Sequence, residues 1–225
     1  LTAFISTYVF GYKHNIGIAV DQSYLSQTIY SMLGFAAIFI TITAILIVAH
    51  EYRHNTIAYT VISARRRYQI FAAKTAVALL YASVISLLVI CVTVAGVYFG
   101  LSLADKTIPT QDLSLTSQSL QWLVYIWGYA LVGLIIAFIV RGLVWSIVLY
   151  FVVPSIEGII SLLLKDNGKF LPFRALDATA ATSIGAVPGS PNLSHSSAIY
   201  LTIAYILVFG VIACYLFIKR DATKN

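Results

Sequence analysis

Acidic side chains are scarce: Asp and Glu number eight in 225 residues, and charged residues of both signs make up 10 % of the chain, against about 25 % in soluble domains. With 60 % apolar residues and a mean hydropathy of +0.91, a soluble globular fold is excluded and a polytopic membrane protein is implied. Only two cysteines occur, Cys91 and Cys214. They fall at different depths of their apolar runs, too far apart for a disulfide, and small apolar packing residues are the reading for both. No G-x-x-x-x-G-K-[ST] loop is present, Gly168-Lys169 standing alone, so no nucleotide hydrolysis by this chain itself is expected. The apolar runs contain no Lys or Arg and a single carboxylate, Glu157, and no internal repeat relates the halves. A secondary transporter more often carries several intramembrane ionisable groups and paired broken helices.

The long runs are Ile29 to Ala49, Thr75 to Ala104, Gln121 to Val140, Gly142 to Leu164 (interrupted by Glu157) and Ser196 to Ile218. Each has the roughly 20 residues that cross a hydrocarbon core as a helix. Continuous runs favour helices over a barrel, whose segments are about ten residues long with alternating polarity. The expected fold is an all-α polytopic bundle with five spans. Leu1 to Tyr12 is half a span; it reads as the tail of a truncated first helix, making six in full, with an interfacial segment as the alternative. It lacks the basic flank of a secretory signal.

Arg53, Arg65, Arg66, Arg67, Lys74, Arg141, Lys219, Arg220 and Lys224 share one side of this topology, while the longer opposite loops carry Lys13, Lys106, Lys165, Lys169 and Arg174. The positive-inside rule puts the first group and the C-terminus in the cytoplasm. The net charge of +6 therefore reflects topology, and no nucleic-acid partner is expected.

The densest basic segment, residues 51 to 74, separates the first two runs. Within it Ile57, Val61, Ala64, Tyr68 and Phe71 recur at helical spacing, predicting a short amphipathic helix along the membrane surface. One reading is a lipid-gripping helix whose arginines meet anionic head groups; the other is a docking helix offering a partner an apolar ridge with charged edges. The same segment contains His50-Glu51-Tyr52-Arg53-His54, literally H-E-x-x-H, which puts two imidazoles and a general base on one helical face. A membrane zinc protease is thus the alternative function. Against it, a third ligand would have to come from Asp221 in the tail, Asp177 lying across the membrane, and Arg53 would set a cation beside the metal.

Glu157 follows Pro154 by three residues, and Pro154 is expected to break the helix. A carboxylate at this depth is costly. It either pairs with Arg174 or Lys165, or caps a re-entrant turn, or lines a substrate path. Trp122, Tyr125, Trp127 and Tyr129 read as an interface belt and packing, and Gly128 and Gly133 as points of close helix approach.

Glu51-Tyr52-Arg53, Thr56, Arg65-Arg66 and Lys74, then Arg141, Pro154-Ser155-Ile156-Glu157, Leu171-Pro172-Phe173 and Lys219-Arg220-Asp221, taken in this order, resemble type 2 ABC transporter permeases, especially the actinobacterial members. Asn55 stands where glycine is common there, and Ser63-Ala64 where proline is common. The resemblance implies one transmembrane permease domain over residues 1–225 in a prokaryotic cell membrane, belonging to an ATP-driven transporter, mostly an exporter. It implies two permease copies or homologues, and a separate ATP-binding subunit that holds the ATP and Mg while this chain binds no cofactor. Residues 51–74 would be the coupling helix region, with Glu51, Tyr52, Arg53, Thr56, Arg65 and Arg66 contacting the ATPase and Ile57 and Val61 forming the ridge that docks. Residues 165–195 would form an outer re-entrant cap, with Pro154, Glu157, Pro172 and Phe173 shaping the gate. A structural subunit of a larger membrane complex is the third reading.

Overall fold

The computed structural model describes residues 22–54, 56–63, 66–103, 115–180 and 193–219. Among them the regular elements are all helical: α1 (Gln22–Arg53), α2 (Ile57–Ser63), α3 (Arg67–Leu103), α4 (Leu115–Val140), α5 (Leu143–Leu164), a 3-10 turn (Lys165–Phe170), α6 (Pro172–Ala178) and α7 (His195–Lys219). Five stretches are long and apolar enough to cross a membrane: Ser26–Arg53, Arg67–Gly100, Ser119–Val140, Leu143–Phe170 and His195–Lys219. This is the architecture of a multi-pass membrane protein. Leu1 to Tyr12, the expected remnant of a sixth span, lies outside the described residues.

Helices α1 and α4 form the centre, with α3 packed on both, α5 on both, and α7 on α4. Burial follows this order: half of the most apolar window of α4 is buried (50%), against 11% for α5. The outward faces of α3, α5 and α7 carry exposed residues such as Leu80, Val92, Val144, Leu162 and Val211, side chains that suit lipid contact. The α1–α4 contact is close because Gly133 has no side chain. A Cβ there would stand 2.7 Å from the Thr41 carbonyl oxygen, and the Thr41 hydroxyl reaches the Tyr129 carbonyl at 3.3 Å. Small residues and hydroxyls commonly join membrane helices this way.

The core has two parts. One contains Ile29, Leu33, Ile40, Trp122 and Ile126. The other contains Ile45, Val48, Leu134, Phe138 and Phe217, with the Phe138 ring 4.8 Å from Phe71 and 5.0 Å from Phe217. The end of the bundle nearer this second cluster carries Arg53, Arg66, Arg67, Lys74 and Arg141 and is called the basic end below.

Two chain reversals use left-handed backbone. Arg141 (φ 59) ends α4 and, with extended Gly142, turns directly into α5; Lys165 (φ 46) ends α5. The expected break at Pro154 does not occur: α5 runs unbroken through it to Leu164. Proline removes one ladder donor, a local loss that membrane helices tolerate, and the conformational stop comes at Lys165. The single helix expected from the Ile57 to Phe71 spacing is also corrected. It is divided at a bend at Arg66, so that Tyr68 and Phe71 belong to α3.

Candidate functional site

At the basic end, α1 stops at Arg53 and the chain folds back so that the amide of Thr56 bonds the Glu51 carbonyl at 3.0 Å. The short α2 then packs on α3. Glu51 accepts an ion pair from Lys74 at 2.8 Å, and Lys74, itself buried, donates to the Ile47 carbonyl at 2.6 Å. The second oxygen of Glu51, Oε2, is buried with no hydrogen-bond partner among the described residues. The start of α3 is thereby fastened to the end of α1. Two arginines fasten α7: Arg67 donates to the Ile218 carbonyl at 3.0 Å and Arg141 to that of Leu216 at 3.2 Å. These are carbonyls of the last turns of α7, where a cation is favoured. The Arg141 guanidinium also lies 5.5 Å over the Tyr52 ring.

Glu51 and Tyr52 are therefore engaged inside the chain. Ile57, expected on the ridge offered to a partner, is 2% exposed in the protein's own core, and Val61 packs against that core. The ridge faces inward because a seven-residue helix joining two spans must cover its apolar side against them. The apolar residues it leaves outward are Tyr59 (75% exposed) and Ile62 (81%), flanked by exposed Arg53, His54, Thr56 and Arg66. Arg65 lies outside the described residues.

The H-E-x-x-H spacing does bring His50 and His54 together, with ring centroids 4.3 Å apart. Its glutamate is turned to Lys74, and no group of three or more His, Cys, Asp or Glu among the described residues is placed to hold a metal ion. Asp221, the third ligand considered from the sequence, lies outside the described residues.

Away from the basic end, α6 folds back into the bundle against α4 and α7. It is buried through Phe173, Ala175 and Leu176, and Thr179 and Ala180 follow it inward. A Cβ on Gly128 would run into Leu176, so glycine makes room on α4 for this helix. Polar contacts to α4, α5 and α7 hold α6. Buried Glu157 accepts from the Phe173 amide at 2.9 Å, placing a carboxylate against the free amides of the first turn, where Pro172 at the first helical position has none to offer. Tyr129 donates its hydroxyl to Asp177 at 2.7 Å. His195 Nδ1 lies 3.1 Å from the Ala178 carbonyl. Arg174 turns aside to the Ser161 hydroxyl at 3.2 Å.

Residues 1–223 match the family described as Protein of unknown function (DUF2705). The chain belongs to the DUF2705 family. No curated protein and no solved structure matches it.

In this DUF2705 chain the polar centre is one that sequence reasoning missed. Tyr125 is buried and Tyr129 half-buried against the core, and only Trp127 of the expected belt group is substantially exposed, its indole N–H donating to Ser83 at 2.8 Å. Tyr129 packs edge-on against Tyr125 (5.0 Å) and Tyr150 (6.4 Å), and Tyr125 packs against Tyr30 (5.7 Å). Three further tyrosines, Tyr30, Tyr125 and Tyr150, from three spans thus cluster with the Tyr129–Asp177 pair. Burial raises the Asp177 carboxyl above its ordinary range, with the Tyr129 hydroxyl and Arg174 opposing. The signal for this cluster was present: Trp122, Tyr125 and Tyr129 are spaced three and four apart, one helical face, whereas Trp127 falls on another.

Proposed function

We propose that this chain is the permease subunit of an ATP-driven exporter in a prokaryotic cell membrane, with α2 docking on a separate ATP-binding subunit in the cytoplasm. The observation that carries the proposal is the outward pair Tyr59 and Ile62 on a short helix that is joined to α1 by the Thr56–Glu51 turn and packs on α3, itself fastened to α1 by the Lys74–Glu51 ion pair. An exposed apolar pair rimmed by Arg53, His54 and Arg66 suits a protein cleft with acidic edges. A push on α2 would reach α1 and α3 through these fastenings, and α7 through Arg67. Two such chains, or one with a homologue, would form the pore, and nucleotide and Mg would reside on the ATPase.

The proposal is tested by photo-crosslinking from position 59 or 62 in native membranes. The expected adduct contains a Walker-type ATPase; adducts with lipid alone at both positions would overturn it.

A further inference from the structure

Asp177 sits in the last turn of α6, at the level where α4 presents Tyr125 and Tyr129, α1 presents Tyr30 and α5 presents Tyr150 and Glu157. From α6 itself Arg174 acts on it electrostatically, and from α7 His195 binds the carbonyl of the next residue, Ala178. Among the described residues no Lys or Arg nitrogen lies within ion-pairing distance of Asp177, because Arg174 is directed to Ser161. Glu157, on α5, lies at the other end of α6 and accepts from the Phe173 amide.

We infer that Asp177 is a proton-binding site, and that docking of α6 onto α4 takes up one proton there. The balance is simple: the docked acid becomes a hydrated carboxylate plus a proton released to water when α6 leaves. Aromatic rings pack around Tyr129, with centroids at 5.0 Å for Tyr125, 6.3 Å for Phe173 and 6.4 Å for Tyr150. No group of three metal-ligating side chains occurs among the described residues. Tyr129 can donate to the carboxylate and accept from the acid, so either proton state keeps a partner. Because the docked form holds its proton more tightly than a hydrated aspartate, whose pKa is about 3.9, low pH favours docking and rising pH favours release. Between the two pKa values the undocked population grows by up to about tenfold per pH unit. This inference is independent of any ATPase partner.

The test uses the full-length protein in lipid nanodiscs, with Cys91→Ala and Cys214→Ala as background. Ala175, fully buried on α6, is changed to cysteine as a reporter of undocking, and exposed Ser196 is changed to cysteine in a second variant to correct for thiolate chemistry. The ratio of maleimide labelling rates at the two positions should rise with pH, approaching tenfold per unit over part of the range. Asp177→Asn should hold the ratio at its low-pH value throughout. Tyr129→Phe, which removes the donor favouring the anion, should move the rise to higher pH. If Ala175→Cys does not fold, hydrogen exchange of residues 171–180 in the unsubstituted protein, normalised to intrinsic rates, should show the same dependence and the same loss of it in Asp177→Asn. A ratio, or normalised exchange, that does not change with pH would overturn the inference. So would an unchanged dependence in Asp177→Asn, which would assign the proton to Glu157 or His195.

Discussion

Replacing Glu157 with leucine should release α6 from the bundle while leaving the spans in place. Glu157 is 6% exposed, and its Oε2 accepts from the Phe173 amide at 2.9 Å. Pro172 has no N–H, so Phe173 carries the first free amide of α6, in a buried position where water is a poor substitute. Leucine removes a charged acceptor and leaves that amide unsatisfied, at a cost of about 2–3 kcal/mol. Local opening should therefore increase roughly 30- to 160-fold, at 1.36 kcal/mol per tenfold. Glutamine keeps an oxygen acceptor and loses only the charge, so about 1 kcal/mol and roughly fivefold are expected. The assay is hydrogen exchange over residues 171–180 in detergent, with the mid-span amides of α4 as an internal reference. Less than a threefold increase in Glu157→Leu, or a larger effect from Gln than from Leu, would refute the capping role.

Ile57→Ala should destabilise the protein by about 2–5 kcal/mol, because this residue is in the core, whereas Tyr59→Asp with Ile62→Asp should leave thermal stability in detergent unchanged and abolish partner binding. Gly133→Ala should lower thermal stability by about 1–3 kcal/mol by forcing α1 from α4, while Gly210→Ala, where an added Cβ meets nothing within 4 Å, should be neutral or slightly stabilising in the same melt. Lys74→Met should cost about 2 kcal/mol, between the values for exposed and fully buried pairs, and adding Glu51→Gln should restore part of it; a double variant no more stable than Lys74→Met would contradict the ion-pair assignment.

The five spans were legible because uncharged runs of about 20 residues have few other stable forms, and the close approach at Gly133 followed from its lack of a side chain. Local spacing was less reliable where the chain had to turn. Ile57 and Val61 do form one helical face, but periodicity alone does not say whether that face covers the protein's own spans or a partner, and the short connection from α1 to α3 decided for the former. Pro154 pointed to a break that the ladder around it absorbed, while the actual stop at Lys165 depends on a positive φ that no residue type announces. Asp177 fell within the outer re-entrant cap expected over residues 165–195, but nothing in the sequence reveals that its carboxylate meets Tyr129 of α4. Its partner Tyr129 was grouped with Trp127 by proximity along the chain, although the two residues are two apart and face different ways on α4.

The most direct test of the proposed function is affinity purification of the tagged full-length protein from native membranes, in parallel with its Tyr59→Asp and Ile62→Asp double variant. Each anchor is worth roughly 1.5–3 kcal/mol when buried, so a Walker-type ATPase should accompany the unsubstituted protein and be lost from an equally abundant, equally stable variant. Equal recovery of the ATPase with both forms, or none with either, would contradict docking through α2.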